Sequence, residues 1–225
     1  MQYSVSMAVH ATVEHQPATS LRAAEAAAMF GLDLDHEGPT ALLPPMDLTL
    51  TSGQITFLTG PSGSGKSSLL RAVSQALCEQ AVEVIDLTAL PVWPDRPLAE
   101  GFPDPLPDDL DKTAGWLSRA GLAEASLLLR RPCELSEGQR FRLQLAHALA
   151  LAEVKEGFLV IVADEFAATL DRLTAKHVAM TVRRWMRGAS CALVVATTHD
   201  DLLEALAPDT LIELTAAGQA EVLTR

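Results

Sequence analysis

A glycine-rich octapeptide is the first segment of this chain whose residue types and spacing indicate chemistry. It fits the pattern G-x-x-x-x-G-K-[ST] and consists of Gly60, Pro61, Ser62, Gly63, Ser64, Gly65, Lys66 and Ser67. An apolar strand is predicted before it and a helix after it, which is the context that this phosphate-binding pattern requires. The glycines let successive backbone N–H groups point inward at phosphate oxygens, and the N-terminal end of the helix adds positive charge.

Lys66 and the residues after it complete the predicted phosphate site. The Lys66 ammonium would neutralise the β- and γ-phosphates of a nucleotide, and the Ser67 hydroxyl would coordinate Mg²⁺. The predicted binding segment extends to Ser68. Lys66 is one of only four lysines in the chain, so a basic background does not explain its position. The alternative for this segment is a glycine turn followed by a solvated lysine.

Two carboxylates follow a second apolar strand. Phe158 to Ala163 is uniformly apolar, and Asp164 and Glu165 come directly after it. In open α/β sheets, ligands bind at the carboxyl ends of the strands. We therefore expect Asp164 to hold Mg²⁺ and Glu165 to orient or deprotonate the attacking water. Taken alone, two acidic residues after a strand more often mark a helix N-terminus.

Together with three further motifs, these segments resemble the ATP-binding cassette (ABC) ATPases. Leu135 to Gln139 reads LSEGQ and resembles the family signature LSGGQ, with Glu137 in place of the first glycine. Ala168 to Asp171 resembles the D-loop, and Thr198-His199-Asp200 resembles the segment that carries the switch histidine. The resemblance covers about residues 46 to 215.

The resemblance implies an ATPase that binds ATP with Mg²⁺ and hydrolyses it. Its catalytic residues would be Lys66, Glu165 and His199. Its further nucleotide contacts would come from Ser136, Gly138, Gln139 and Asp171. In this family the signature residues contact ATP that is bound by the opposite subunit, so the resemblance implies an ATP-dependent head-to-tail homodimer. Hydrolysis would separate the two copies and drive a protein partner that the sequence does not identify.

Two of these residues also have a structural interpretation. Ser136 and Gln139 fit a capping box, in which each side chain accepts a hydrogen bond from the backbone N–H of the other residue. Capping and phosphate contact are compatible, because a helix N-terminus is a favourable place for an anion. A histidine that follows an apolar strand, as His199 does, is more often structural when no motif surrounds it.

The chain resembles still more closely a soluble branch of these ATPases that is often joined to an acetyltransferase-like domain. Asp164 to Arg172 and Ala196 to Leu202 carry this closer resemblance. Two features depart from the wider family. Thr88 to Arg96 contains no glutamine where the Q-loop glutamine is expected. The adenine-stacking aromatic has two candidates, Phe30 and His36, and a place in the core is the favoured interpretation of Phe30.

Alternating strands and helices predict the fold that must position these motifs. The predicted strands are 3–13, 46–51, 54–59, 82–87, 158–163, 191–197, 211–214 and 220–223, and the predicted helices include 20–30, 136–153 and 172–187. The order indicates an α/β P-loop NTPase fold of the ABC type, with a mainly parallel sheet and flanking antiparallel strands. We expect one domain over residues 1–225, with an N-terminal strand-helix extension over about 1–31 and a small helical subdomain inserted over about 91–150.

Composition limits the class of protein. The chain has 225 residues, 48% of them apolar, and a net charge of −12, which disfavours a dominant nonspecific surface for nucleic acid. Its three cysteines have no C-x-x-C spacing, which favours a reducing compartment. No apolar run approaches the roughly 18 residues of a membrane span, and Met1 to His10 lacks the pattern of a secretion signal. We therefore expect a cytoplasmic protein without direct membrane insertion.

Three alternatives for the function stay open at this point. The first is the nucleotide-binding subunit of an ABC membrane transporter. The second is an adaptor that binds nucleotide without hydrolysing it, for which Glu137 and the missing glutamine are the motivation. The third is a small-molecule kinase, which has no need of Ser136 to Gln139 or of the carboxylate pair. Contact with nucleic acid is a further open point, because several soluble relatives act in repair and chromosome maintenance.

Overall fold

The computed structural model describes residues 2–15, 20–31, 38–89, 93–215 and 219–224, which form eight strands and six α-helices. The strands are β1 (Ser4–His15), β2 (Gly38–Thr51), β3 (Ile55–Thr59), β4 (Glu83–Asp86), β5 (Leu159–Ala163), β6 (Ala192–Ala196), β7 (Thr210–Leu214) and β8 (Ala220–Thr224). The helices are α1 (Leu21–Phe30), α2 (Lys66–Glu79), α3 (Leu110–Arg119), α4 (Glu137–Val154), α5 (Arg172–Met186) and α6 (Leu203–Leu206). This order confirms the predicted α/β class with a mainly parallel sheet.

Six strands form the main sheet in the order β4-β5-β6-β3-β7-β8. Every neighbouring pair is parallel except β7 and β8, which are antiparallel at one side of the sheet. Strand β3 lies between β6 and β7, and β5 lies on the other side of β6. The segments that follow β3, β5 and β6 therefore emerge close together at one edge of the sheet.

Both faces of the centre of this sheet are covered, which explains why β5 and β6 are apolar without alternation. Along β5, Leu159, Ile161 and Ala163 belong to one core, which also includes residues of α3, α4 and α5. Val160 and Val162 belong to the other core, which is shared with α2 and the β1–β2 pair. The same alternation between the two cores occurs along β6.

The antiparallel pair of β1 and β2 is longer than the sequence predicts. Strand β2 begins at Gly38 instead of at Met46, so it includes Pro44 and Pro45, which have no N–H group to donate to a strand ladder. The register places Val9 opposite Met46 and Ala11 opposite Leu43, so both prolines fall within an irregularity of the ladder. A bulge leaves residues unpaired, and a proline without an N–H group is therefore tolerated there.

Helix α4 is tied at its C-terminal end to its two neighbouring helices. The Glu153 carboxylate accepts hydrogen bonds from the indole nitrogens of Trp116 on α3 (2.8 Å) and Trp185 on α5 (2.9 Å). Arg119 of α3 forms an ion pair with the same carboxylate. These contacts fix the direction of α4, and with it the place of the signature-like segment at the opposite end of the helix.

Helix α1 begins and ends where the sequence predicts. The Ser20 hydroxyl accepts a hydrogen bond from the N–H of Ala23, and Gly31 ends the helix with a φ of 62°. Of its residues only Ala27 is buried, and Phe30 is 76% exposed. The expectation that Phe30 lies in the core is therefore wrong, since the helix is anchored through a different face. The second stacking candidate, His36, lies outside the described residues.

The long segment from Trp93 to Asp109 contains only one short 3-10 turn, at Leu98–Glu100. The prolines of this segment have a fixed φ and no N–H group, which prevents a regular helix or an inner strand. Among the residues that the structure describes, no helix combines the length and the apolar character needed to cross a membrane.

Candidate functional site

The glycine-rich segment forms a tight loop between β3 and α2. Gly60 has a φ of 141°, and a Cβ atom at this position would lie 2.3 Å from the backbone oxygen of Leu214. Any larger residue would push the loop away from β7. Gly65 forms the N-cap of α2 with a φ of 95°, a conformation that other residues rarely adopt. The loop is thus held against the sheet, and its last glycine leads into the helix.

Lys66 is held inside this loop by neutral groups. Its ammonium Nζ donates hydrogen bonds to the carbonyl oxygens of Gly60 (2.7 Å) and Pro61 (2.8 Å). Only 9% of the residue is exposed. Among the described residues no carboxylate forms an ion pair with this ammonium, so no charge in that part of the chain neutralises it. The arrangement suits an anionic ligand, because a buried cation gains most from an opposite charge.

A cavity of about 480 Å³ opens beside the loop. It is lined by residues of the loop and of the start of α2, by residues that follow β5 and by residues that follow β6: Ser62, Gly63, Gly65, Lys66, Ser67, Ser68, Asp164, Glu165, Ala168, Thr197 and Thr198. Six predicted loop residues and both predicted carboxylates are therefore brought together. Gly60, Pro61 and Ser64 are not among the lining residues.

The segment after β5 has an unusual backbone. Glu165 has a φ of 49°, and its N–H donates a 3.0 Å hydrogen bond to Oδ1 of Asp164. A left-handed non-glycine residue costs of order 1 kcal/mol or more and persists only where its surroundings impose it. Here Phe166, which is fully buried, donates its N–H to Ala196 of β6 at 2.9 Å. This anchor holds the exposed Glu165 at the cavity.

The segment after β6 contributes two cavity residues that sequence reasoning missed. Thr197 continues the strand by donating its N–H to Leu58 of β3 (3.1 Å), and Thr197 and Thr198 both line the cavity. Their position after an apolar parallel strand was a usable signal. His199 is not among the lining residues, and its N–H donates to the Thr197 hydroxyl at 3.2 Å. The structure thus places His199 next to the cavity, at the turn that leads away from it.

The signature-like segment forms the N-terminus of α4. Ser136 Oγ accepts the Gln139 N–H (3.3 Å), and Gln139 Oε1 accepts the Ser136 N–H (3.0 Å), which confirms the predicted capping box. Glu137, in the first helical turn, is exposed, and a carboxylate there is favoured by the helix dipole. None of Ser136, Gly138 and Gln139 lines the cavity beside Lys66.

Gly138 has a packing role that the motif did not reveal. A Cβ atom there would lie 2.9 Å from Cδ2 of Leu170 and 3.3 Å from the backbone oxygen of Thr169. The start of α4 therefore lies against the D-loop-like segment of the same chain. Asp171 ends that segment as the N-cap of α5 and accepts the Thr174 N–H at 3.0 Å. Hydrogen bonds from Thr174 lower the pKa of this carboxyl group, so Asp171 is ionised as a capping residue.

The donor groups of the cavity suit Mg²⁺. The Ser67 hydroxyl and the Asp164 carboxylate are both oxygen ligands, and both residues line the cavity beside Lys66. With the glycine loop, the lysine and the second carboxylate of Glu165, these groups define the class of protein. The fold and the site are those of a P-loop nucleoside triphosphatase.

Comparisons with known proteins specify the family. A sequence model of the AAA ATPase domain matches residues 46–199. The aliphatic sulfonates import ATP-binding protein SsuB 2 of Streptomyces avermitilis is 38% identical over 71% of this chain and 65% of its own length. The hemin import ATP-binding protein HmuV of Myxococcus xanthus is 32% identical, with 79% of each chain covered. The lipoprotein-releasing system ATP-binding protein LolD of Maricaulis maris is 32% identical over 77% of this chain and 90% of its own.

A solved structure shows the same architecture. The dimeric ATP-binding cassette MJ0796 bound to ADP and phosphate superposes with a TM-score of 0.65, at 17% identity and with 98% of each chain covered. The chain therefore belongs to the P-loop ATPases, and within them to the ATP-binding cassette family. It binds ATP and hydrolyses it to ADP and phosphate.

Proposed function

We propose that two copies of this chain close head to tail around two ATP molecules, and that hydrolysis separates them and thereby drives a protein partner. Each composite site would join the cavity beside Lys66 of one copy to the Ser136 segment of the other. A head-to-tail pair about a two-fold axis forms two identical sites and closes the assembly.

The observation that carries this proposal is the separation of two phosphate-binding features within one chain. Lys66 and the glycine loop line the cavity, whereas Ser136, Gly138 and Gln139 do not. Ser136 is exposed at the N-terminus of α4, an 18-residue helix. Such a helix start attracts an anion through its free N–H groups and its dipole. The N-terminus of α4 does not line the nucleotide cavity of the same chain. It is therefore available to a triphosphate that is bound in the cavity of a second copy.

Within the composite site we assign roles by chemistry and position. Lys66 neutralises the β- and γ-phosphates once these replace its two carbonyl partners. Ser67 and Asp164 would hold Mg²⁺, which when bound offsets the charge that develops on the phosphates. The Glu165 carboxylate orients the attacking water and accepts its proton. His199 donates a hydrogen bond to the γ-phosphate after a small movement of its segment toward the cavity.

A Glu165→Gln variant tests the dimer. The change keeps the shape of the side chain and removes the proton acceptor, so ATP stays intact and the closed dimer accumulates. We expect a monomer without nucleotide and a species of twice that mass with MgATP, measured by size-exclusion chromatography with light scattering. A Glu165→Gln variant that stays monomeric with saturating MgATP at high protein concentration contradicts the proposal.

Two substitutions at Ser136 test which surface closes the site. Asparagine and aspartate both cap helices well, so both variants keep α4. Only aspartate places a negative charge where the γ-phosphate of the other copy would lie. In the Glu165→Gln background we expect Ser136→Asn to dimerise with MgATP and Ser136→Asp to remain monomeric. Equal dimerisation of the two variants would show that this helix end does not contact the nucleotide.

The partner is best proposed as a soluble protein in the cytoplasm. Two sequence features support this assignment: the closer resemblance to the soluble branch, and the absence of the family glutamine from Thr88 to Arg96. The second candidate is the nucleotide-binding subunit of a membrane transporter, which the names of the import and lipoprotein-releasing relatives favour. Purification of the Glu165→Gln variant from its native cells with MgATP separates the two, since a membrane subunit is retained only in the detergent-solubilised membrane fraction.

A further inference from the structure

We propose that Arg172 and Asp201 form a positioning pair that holds the turn carrying His199 at the nucleotide site. The inference deepens the proposed function, because it rests on the role assigned there to His199. Neither residue lines the cavity, so neither is proposed to touch ATP.

The pair has the geometry that fixes one side chain relative to another. Arg172 Nε donates to Oδ2 of Asp201 at 3.0 Å, and Arg172 Nη2 donates to Oδ1 of the same carboxylate. Two parallel hydrogen bonds from a guanidinium specify direction as well as distance. Lys176, one turn further along α5, is a weaker neighbour, with its Nζ 3.9 Å from Oδ2.

The two residues also connect the segment that follows β5 with the segment that follows β6. Arg172 is the first residue of α5 and follows the D-loop-like segment, whose Ala168 lines the cavity. Asp201 lies two residues after His199, in the segment that follows β6. Thr197 and Thr198 of this segment also line the cavity. A rigid link between Arg172 and Asp201 therefore sets how the two segments lie relative to each other.

The same turn is anchored on its other side. Asp200 accepts a hydrogen bond from the hydroxyl of Thr59, the last residue of β3 before the glycine loop. His199 is therefore followed by two carboxylates with different anchors, Asp200 to β3 and Asp201 to α5. Among the described residues the side chain of His199 forms no hydrogen bond, and it interacts electrostatically with the Asp201 carboxylate. The two anchors therefore decide where the turn that carries His199 lies.

The ion pair between Arg172 and Asp201 contributes little to the stability of the fold. The side chains of Arg172 and Asp201 are 40% and 39% exposed, and ion pairs at such positions contribute little to folding. The hydrogen bonds from Arg172 lower the pKa of Asp201, so the carboxylate is fully charged at neutral pH. The two hydrogen bonds of this charged pair therefore serve mainly to orient the turn that carries His199, and they contribute little to the free energy of folding.

Arg172→Met and Asp201→Asn test this role in the otherwise unchanged chain. We expect kcat for ATP hydrolysis to fall about ten- to a hundredfold, the range that misplacement of a catalytic group causes. KM for ATP should stay within about twofold, because the glycine loop and Lys66 are untouched. Lys176→Met is the matched control, since it removes a cation near the same carboxylate but leaves the bidentate pair, and it should keep wild-type kcat.

Two further measurements distinguish positioning from a general structural effect. The exchange Arg172→Asp with Asp201→Arg restores a pair of opposite charges and should recover most of kcat. In a His199→Ala background, Arg172→Met should cause no further loss of kcat, because the turn then has no catalytic group to position. An additive loss in that background, or a fall in kcat that is matched by Lys176→Met, overturns the proposal.

These outcomes are independent of the dimer test. If Glu165→Gln remained monomeric, the proposed head-to-tail assembly would fail. A non-additive effect of Arg172→Met and His199→Ala on ATP hydrolysis would still support the positioning pair. Conversely, a stable dimer with an additive effect would reject the pair alone.

Discussion

The ammonium Nζ of Lys66 lies 2.7 Å from the carbonyl oxygen of Gly60, so the lysine of the phosphate loop folds back onto the first residue of that loop. Neutral carbonyl oxygens hold the ammonium in place without cancelling its charge. A triphosphate that enters the cavity would offer charged oxygens in place of these carbonyls. The exchange favours binding, because anionic oxygens add the attraction between opposite charges to the hydrogen bonds of the ammonium.

Lys66→Ala should remove hydrolysis while the chain stays folded. The change deletes the cation that we propose stabilises the developing phosphate charge, and loss of one such group typically lowers kcat by about 10²- to 10³-fold. Phosphate release at saturating MgATP measures the effect. Lys112→Ala is the control, since Lys112 is exposed on α3 outside this cavity and should retain wild-type turnover. Equal rates in both variants would exclude Lys66 from catalysis.

Gly138→Ala should reduce activity because it pushes α4 away from the D-loop-like segment. The new methyl group would lie 2.9 Å from Leu170 Cδ2 and 3.3 Å from the Thr169 oxygen, so that segment must shift. Alanine favours a helix by about 1 kcal/mol over glycine, while crowding costs about 1–3 kcal/mol. We expect a small net loss of stability in urea denaturation and a kcat lower by about tenfold, since Ala168 of the displaced segment lines the cavity.

Gly115→Ala is the matched control for that substitution. Gly115 lies within α3, and a Cβ atom there would meet nothing within 4 Å. The helix preference is then unopposed, so the free energy of unfolding should rise by about 0.5–1 kcal/mol with kcat unchanged. A destabilised Gly115→Ala, or an unchanged kcat in Gly138→Ala, would contradict this prediction. Packing against Leu170 and Thr169 would then not be the reason why position 138 needs a glycine.

His147 should make the stability of the chain depend on pH. It is 1% exposed on α4, and neither ring nitrogen has a hydrogen-bond partner among the described residues. Its ring stacks on Phe102 at 5.7 Å and meets the edge of Trp93 at 5.1 Å. Burial lowers the pKa of His147 to about 4. The folded chain therefore keeps this imidazole neutral at a pH where the unfolded chain protonates it.

The sign of the effect follows from proton linkage. Between about pH 6.5 and pH 4 the unfolded state binds more protons at His147, so stability falls as the pH is lowered. The contribution amounts to about 2 kcal/mol between pH 7.5 and pH 5. Leucine fills a similar volume without a titratable group. The free energy of unfolding of His147→Leu should therefore fall by about 2 kcal/mol less than that of the wild-type chain between pH 7.5 and pH 5. Urea denaturation at both pH values measures the difference, and parallel losses in the two chains would contradict the assignment.

Much of the fold could be predicted because each local signal has one physical cause. Ser20 and Gly31 bound α1 since one supplies a side-chain acceptor for the first turn and the other adopts a positive φ. Phe30 and the start of β2 at Gly38 show where local signals fail. Whether Phe30 is buried depends on which face of α1 meets another element. Whether Pro44 and Pro45 end a strand depends on the register with β1.

The sequence by itself determined the chemistry of this protein, because the glycine loop, Lys66 and the carboxylate pair are contiguous motifs whose function depends on local backbone and residue type. It also determined the fold class through the order of strands and helices. Only the tertiary structure decided which motifs share a cavity. It placed Thr197 and Thr198 there with Lys66, and it left Ser136 outside. Strand order in the sheet and the direction of α4 decide which residues reach the cavity. Both arise from contacts between residues far apart in the chain.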